Sequence, residues 1–351
     1  MRNGKLGFGL VGLGMAGVTH ATQFAKMDDI EFVACYGRNS KKAQGFAAEY
    51  GAASWYSDFD AFCENPDIDF AVVCTPNGLH EEFATKLAKA GKNVIVEKPL
   101  EITLEGARRI IDACDANDVS LSVIYQMRFG AAARKVKEAV AAGELGEILQ
   151  ADAYDKAFRE VSYYRDDPWR GTKEFEGGGT LTTQTTHLID LLQWIVGPVS
   201  RVYASCRTAY HDIEVEDLAN AMLFYENGAS GVIVSGTCFQ PAMKSRIEIH
   251  GTKGSVVFNG EYDEVYLWNV EADPTKIDTP DGFRFSDITD PYLLPMERHR
   301  DNLQEIIDAY REGRESLVTG AEALKSEEII LAIYESSEKR AMVEVNSADR
   351  A

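Results

Sequence analysis

The feature that most constrains this chain is Gly12-Leu13-Gly14-Met15-Ala16-Gly17, a GxGxxG set directly after the apolar run LGFGLVG and at the head of a helical pattern. Each glycine there has a physical task. The first permits a tight turn, the second lets backbone approach a pyrophosphate, and the third packs helix against strand. The first-turn N–H groups of the helix then face the anion. Gly12, Gly14, Met15 and Ala16 are therefore candidate contacts to a dinucleotide.

The surrounding frame agrees. Up to Tyr125, the runs LGFGLVG, EFVACYG, DFAVVCT, KNVIVEK and VSLSVIY alternate with amphipathic patterns near residues 16–27, 41–50, 80–90 and 104–117. That is the βαβ rhythm of a doubly wound parallel sheet, and it predicts a Rossmann domain over residues 1–125. Beyond Tyr125 a helix near 131–142 precedes strand-like runs at 147–157, 199–208, 218–226, 229–237, 246–251, 255–258 and 264–268. Turns such as Glu226-Asn227-Gly228 between them suit antiparallel hairpins. Helices near 297–312 and 321–341 close the chain. The expectation is an α/β protein whose second domain, residues 126–351, is α+β with a large, mainly antiparallel sheet. At 351 residues both domains can bury a core without disulfides.

Composition excludes several partners. A formal charge of −20 would repel a phosphate backbone, so no nucleic acid is expected. Glycines interrupt the N-terminal apolar run, which argues against a signal peptide, and no later run approaches the ~20 apolar residues of a membrane span. The six cysteines form no CxxC pair, which suits a reducing, cytoplasmic setting.

Other candidate contacts follow from strand ends. The second strand ends in Cys35-Tyr36-Gly37-Arg38-Asn39, without the acid that usually holds an adenosine ribose. Gly37 leaves room there, and Arg38 can pair with a 2′-phosphate or stack on adenine, which admits NAD or NADP and leans slightly to NADP. Asn39 completes this tip. Cys74-Thr75-Pro76-Asn77-Gly78-Leu79-His80 and Glu97-Lys98-Pro99 lie at carboxyl ends of parallel strands, where doubly wound sheets bind ligands. Thr75, Pro76, Asn77, His80, Glu97 and Lys98 join the cofactor set. His187, in TLTTQTTHLIDLLQW, borders the helical stripe of Leu181, Leu188, Leu191, Leu192 and Ile195, and on this stretch alone reads as a buried, hydrogen-bonded histidine.

GLGMAG, His20 just beyond it, EKP, Trp169-Arg170-Gly171, Gly177-Gly178-Gly179, His187 and Asp190 together form a pattern that resembles the Gfo/Idh/MocA family. The family is named for glucose-fructose oxidoreductase, inositol dehydrogenase and a rhizopine-catabolism protein. The resemblance runs from Lys5 to about Ala341. It implies pyridine-nucleotide oxidation of sugars, inositols or related polyols, and a homodimer or homotetramer. It also implies that Lys98 is catalytic and that His187 faces the nicotinamide, which turns His187 from a core residue into a candidate base. Oxidising a secondary alcohol requires removal of the hydroxyl proton as hydride leaves, and imidazole titrates near the operating pH. Lys98 can stabilise the developing alkoxide.

Many relatives carry an aspartate four residues before this histidine, where this chain has Thr183, followed by Gln184. Arg128, after the last Rossmann strand, and the cluster Tyr163, Tyr164, Arg165, Trp169 and Arg170 suit a sugar ring or an anionic group on one. Trp169 and Arg170 match the family's WR beside the nicotinamide. Arg128, Tyr163, Thr183, Lys98 and His187 are the substrate candidates, and Arg128, Trp169 and Arg170 join the cofactor set. No metal site is expected, because His187 and Asp190 lack a third convergent ligand. The function so read is reversible hydride transfer between a ring hydroxyl and nicotinamide. Glycoside cleavage through transient oxidation and a non-catalytic cofactor-binding sensor are the alternatives.

Overall fold

A computed structural model describes residues 4–278 and 296–345. They divide into two compact units, one of residues 4–126 with 296–324, the other of 127–278 with 325–345.

In the first unit, β1 (Leu6–Val11), β2 (Ile30–Tyr36), β3 (Ser54–Tyr56), β4 (Phe70–Val73), β5 (Asn93–Glu97) and β6 (Leu121–Ile124) form a parallel sheet in the order β3-β2-β1-β4-β5-β6. The connecting helices are α1 (Met15–Phe24), α2 (Ser40–Tyr50), α3 (Phe59–Cys63), α4 (His80–Lys89) and α5 (Leu104–Ala116). Every residue of β1 and β4 is buried, which is why these strands read as continuous apolar runs rather than alternating ones. Caps start the helices: Asn39 accepts from the Lys42 amide at 3.1 Å, and Thr103 from that of Gly106 at 3.1 Å. The strand order reverses between β1 and β4, which places the crevice of the sheet at the carboxyl ends that carry the glycine turn and the Thr75 segment. The predicted Rossmann domain is therefore present. Its β3 and α3 are too short to leave a periodic signal and were not expected.

The helix Glu297–Glu312 also belongs to this unit, although chain order alone assigned it to the second domain. Its Leu303, Ile306 and Ile307 are buried in one core with Phe8, Phe24 and Phe70. The amphipathic stripe predicts that the helix packs but is silent about which sheet receives it.

The second unit contains α6 (Ala131–Ala141), β7 (Ile148–Lys156), α7 (Val161–Arg165), α8 (Thr186–Val196), β8 (Val199–Arg207), β9 (Leu218–Tyr225), β10 (Ser230–Gly236), β11 (Arg246–Gly251), β12 (Gly254–Asn259), β13 (Glu264–Val270), β14 (Ile277–Asp278) and, after residue 325, β15 (Val343–Glu344). The nine strands run β14-β13-β12-β11-β7-β10-β9-β8-β15, antiparallel except for the β7–β10 pair. One face packs its alternate residues, Val202, Ala221, Ile233 and Ile247 among them, on Leu188, Leu192, Ile329 and Ile333 of the helices. The opposite face leaves Tyr203 46% and Met222 48% exposed, and these two residues are register partners on neighbouring strands. Among the described residues no helix is long and apolar enough to cross a membrane.

Candidate active site

The glycine turn meets its expectation for two different reasons. Gly12 has φ +99°, and a Cβ there would lie 2.4 Å from the Cys74 carbonyl oxygen; at Gly17 a Cβ would meet the Gly12 oxygen at 2.3 Å. Both positions exclude a side chain. Gly14 instead has no atom within 4 Å of its would-be Cβ, and as N-cap of α1 it supplies no side-chain cap. With no acid in the first turn of α1, its N–H groups and partial positive charge suit a pyrophosphate. At the tip of β2, Gly37 is required by packing, since a Cβ would lie 2.7 Å from Leu13 Cδ1, so the room expected there for a ribose is taken by Leu13. Arg38 is exposed and Asn39 is occupied in capping α2.

At the end of β4, Thr75 Oγ1 is buried without a hydrogen-bond partner, a further polar atom that fits a bound group. Asn77 is buried and opens a short 3₁₀ turn that follows Pro76. His80 has a different task from the expected cofactor contact. Its buried ring places Nδ1 2.8 Å from the Pro99 carbonyl and Nε2 3.0 Å from that of Thr75, tying the two strand-end segments together. Burial drives its imidazole below the ordinary value, with those carbonyls opposing. Half-buried Lys98 follows β5 directly. Next to it the buried Glu97 carboxylate accepts from His20 Nε2 at 2.7 Å and from the Lys98 amide at 3.2 Å. Burial pushes the Glu97 carboxyl up, but the hydrogen bond and charge of His20, aided by His299 and Lys98, hold it at about 2.

In the second unit, α8 is preceded by a π-helical turn, Leu181–Thr185, where a regular helix was expected. Such turns insert a residue and re-aim the side chains around them. His187 is buried at the border of the core stripe, as its sequence position suggested. Thr183 Oγ1 donates to Glu176 Oε1 at 2.7 Å. A buried carboxylate thus stands against the position where relatives were expected to carry one. The other Glu176 oxygen accepts from the Gly171 amide. Tyr163 Oη accepts from Gln184 Nε2 at 3.2 Å and from Arg170, whose guanidinium lies 4.2 Å from the Tyr163 ring centre and 4.6 Å from that of Trp169. Tyr163, Trp169, Arg170, Thr183 and Gln184 are accordingly brought into one polar and aromatic group. Tyr164 packs edge-on against Tyr163 with 5.0 Å between ring centres, though its hydroxyl bonds Thr237 at 2.9 Å, and Arg165 is on the surface beside Asp166.

Arg128 requires a correction as a cofactor or substrate contact. It has 0% exposure, and its Nε and Nη2 donate to the two Asp190 oxygens at 2.7 Å each, so its fork is spent on holding the His187 helix. Ser326 Oγ adds a 3.0 Å bond to the same carboxylate.

The sequence reading also missed Glu216. It accepts from the Gly179 and Leu181 amides at 2.8 and 2.9 Å and from Tyr334 Oη at 3.0 Å, capping the π turn from a distant strand edge. Burial pushes its carboxyl up to about 7. A Cβ at Gly179 would lie 1.7 Å from the Glu216 carbonyl oxygen, which accounts for the glycine there. For Glu176 the available signal was an acid standing directly before a glycine triplet; for Glu216 and His299 there was none. Among the described residues, no group of three or more His, Cys, Asp or Glu is placed to hold a metal ion.

Comparison with known proteins adds identity to this geometry. An oxidoreductase family with an NAD-binding Rossmann fold matches residues 6–125, and the GFO/IDH/MocA C-terminal domain matches residues 133–257. The chain is 30% identical over 298 residues to the levoglucosan dehydrogenase of Pseudarthrobacter phenanthrenivorans, covering 73% of this chain and 74% of that protein. It is 28% identical over 311 residues to the myo-inositol 2-dehydrogenase of Thermotoga maritima, covering 86% of each. The crystal structure of the WlbA dehydrogenase from Bordetella pertussis, in complex with NADH and UDP-GlcNAcA, superimposes with a TM-score of 0.86 at 32% identity, over 97% of this chain and 98% of that one.

Proposed function

The chain belongs to the Gfo/Idh/MocA family of NAD-binding oxidoreductases, and on that premise we propose that it transfers hydride reversibly between a ring hydroxyl of a sugar, glycoside or polyol and nicotinamide. The observation that carries this reading lies within one unit: the open, uncapped β1–α1 glycine turn and half-buried Lys98 occupy the same carboxyl edge of one parallel sheet. The bound nicotinamide supplies the hydride acceptor. Lys98 donates to the reacting oxygen and stabilises it as its proton leaves. By the family resemblance His187 is the group that takes that proton, and Thr183 and Tyr163 are substrate-binding groups. Trp169 and Arg170 match the family's WR, the pair that borders the nicotinamide in that pattern. The named relatives are dehydrogenases, and retention of both Lys98 and His187 supports turnover over a sensor's role.

The cofactor is NAD or NADP; exposed Arg38 and the missing acid at the tip of β2 support acceptance of the 2′-phosphate. The half-exposed Tyr203–Met222 face supports a homodimer or homotetramer, and six unpaired thiols suit a reducing cytoplasm. The test is a panel of anhydrosugars, inositols, aldoses, uronates and nucleotide-linked sugars with each cofactor, reading absorbance of reduced nicotinamide. Lys98→Ala should lose ~10²–10⁴-fold in turnover with dinucleotide affinity kept, and His187→Asn should erase the acid limb of the pH–rate profile. A panel without turnover, or a folded Lys98→Ala protein with wild-type rates, overturns the reading.

A further inference from the structure

Three of the six histidines converge on the Glu97-Lys98-Pro99 segment, all within the first unit. His80 holds the Pro99 carbonyl from one side. On the other side, His20 of α1 lies 2.7 Å from Glu97 Oε1, and His299 of the helix Glu297–Glu312 places Nε2 3.9 Å from the same oxygen. The two rings stand edge to face, 5.6 Å between centres and 86° apart. All three groups are buried, and the Nδ1 atoms of both histidines are buried without hydrogen-bond partners. Burying two imidazoles and a carboxylate in a core that apolar residues could fill costs stability, because each polar group must recover its lost hydration from its neighbours. Such a cluster next to a reactive lysine points to a task beyond packing.

We propose that His20 and His299 are positioning residues that act on Lys98 through Glu97. The proposal rests on the role assigned to Lys98 above. A carboxylate is an acceptor only, so His20 Nε2 must donate to it, and the second oxygen is then aimed at the Lys98 amide. The lysine backbone is fixed at its own nitrogen by Glu97 and beyond its carbonyl by His80. Ionised Glu97 also supplies a negative charge that favours the ammonium form of Lys98, the form that donates to a developing alkoxide. The other titratable groups facing this carboxylate are the Cys74 thiol at the end of β4, which burial and the Glu97 charge push well up, and the His80 imidazole of α4, which burial pulls down against its two carbonyl contacts. His299 is driven down to about 4 by burial, against the pull of Glu97, so at neutral pH it packs edge to face against His20 as a neutral ring.

The experiment compares Glu97→Gln, His20→Phe, His20→Gln and His299→Phe with wild type. Two readouts are used: kcat, KM and the pH–rate profile with the best substrate of the panel, and the rate of reductive methylation of Lys98 by formaldehyde and a borane, followed by mass spectrometry of its peptide. Glu97→Gln should lower the lysine's proton affinity, moving the basic limb down by about one pH unit and speeding methylation several-fold. His20→Phe and His299→Phe should reduce kcat about tenfold with unchanged NAD affinity, and His20→Gln, which can still donate to the carboxylate, should recover most of the loss. Melting curves identify any variant that fails to fold, and Glu97→Gln, the least disruptive change, then decides. Wild-type kcat, pH profile and methylation rate in folded Glu97→Gln overturn the proposal. Should Lys98→Ala itself keep its activity, the reading of Lys98 falls instead.

Discussion

Replacing Arg128 by alanine separates a ligand contact from a structural ion pair. The guanidinium and the Asp190 carboxylate are fully buried, joined by two 2.7 Å hydrogen bonds, with the guanidinium 5.4 Å from the Trp194 ring centre. Removing one partner leaves the other charge buried and uncompensated, which costs ~3–5 kcal/mol. For a domain of about 150–250 residues, ~1 kcal/mol moves Tm by roughly 2–4 °C, so Arg128→Ala should melt on the order of 10 °C lower. The lost helix anchor would also loosen His187, three residues from Asp190. The assay is urea and thermal unfolding followed by tryptophan fluorescence and far-UV circular dichroism, on Arg128→Ala, Asp190→Ala and the double variant. Because each single change strands the same pair, the double variant should be no less stable than the worse single one. An Arg128→Ala protein with the wild-type midpoint and weakened substrate or cofactor binding would refute this and restore the ligand role. Strictly additive losses would refute the pairing.

The other predictions concern the glycines, Thr183 and pH. Gly14→Ala should keep the wild-type melting point while weakening NAD in a binding titration, whereas Gly12→Ala should destabilise the fold, because only Gly12 combines positive φ with carbonyl contact at its would-be Cβ. Thr183→Asp would set a second carboxylate against Glu176, 2.7 Å from the present hydroxyl oxygen, so one of the two must stay protonated and stability above the carboxylate range should fall by about 1–3 kcal/mol. Adding Glu176→Gln should restore it; failure of that rescue in urea melts would place the cost elsewhere. Two buried acids should give stability opposing slopes with pH. Glu97, held at about 2 against an ordinary 4.5, contributes stability that is complete above 4.5 and lost as pH falls towards 2. Glu216, raised from 4.5 to about 7, retains a proton that the unfolded chain releases, so its contribution declines as pH rises from 4.5 through 7. In urea midpoints taken across this range, Glu216→Gln should flatten the upper slope alone and Glu97→Gln the lower one alone.

The sequence by itself determined the features whose signal is local. Alternating apolar runs and helical stripes fixed the parallel sheet, GxGxxG fixed the turn at the head of α1, and the strand-end position of Lys98 followed from its place just beyond the apolar run Val94-Ile95-Val96. The glycine triplet and the Leu188–Ile195 stripe likewise announced the His187 helix, though not its π turn. The tertiary structure alone decided how charged groups are spent. Arg128 looked like a ligand arginine because a guanidinium fork suits anions, and nothing nearby in sequence reveals that Asp190 takes its Nε and Nη2. Thr183 looked like a lost carboxylate until folding brought Glu176 to it. His299 carried no signal at all, since its meaning depends on a helix that rejoins the first sheet after the second domain. Periodicity records which face of an element avoids water. The partner of a buried charge is set by long-range packing, and a chain read in order has no local pattern that records it.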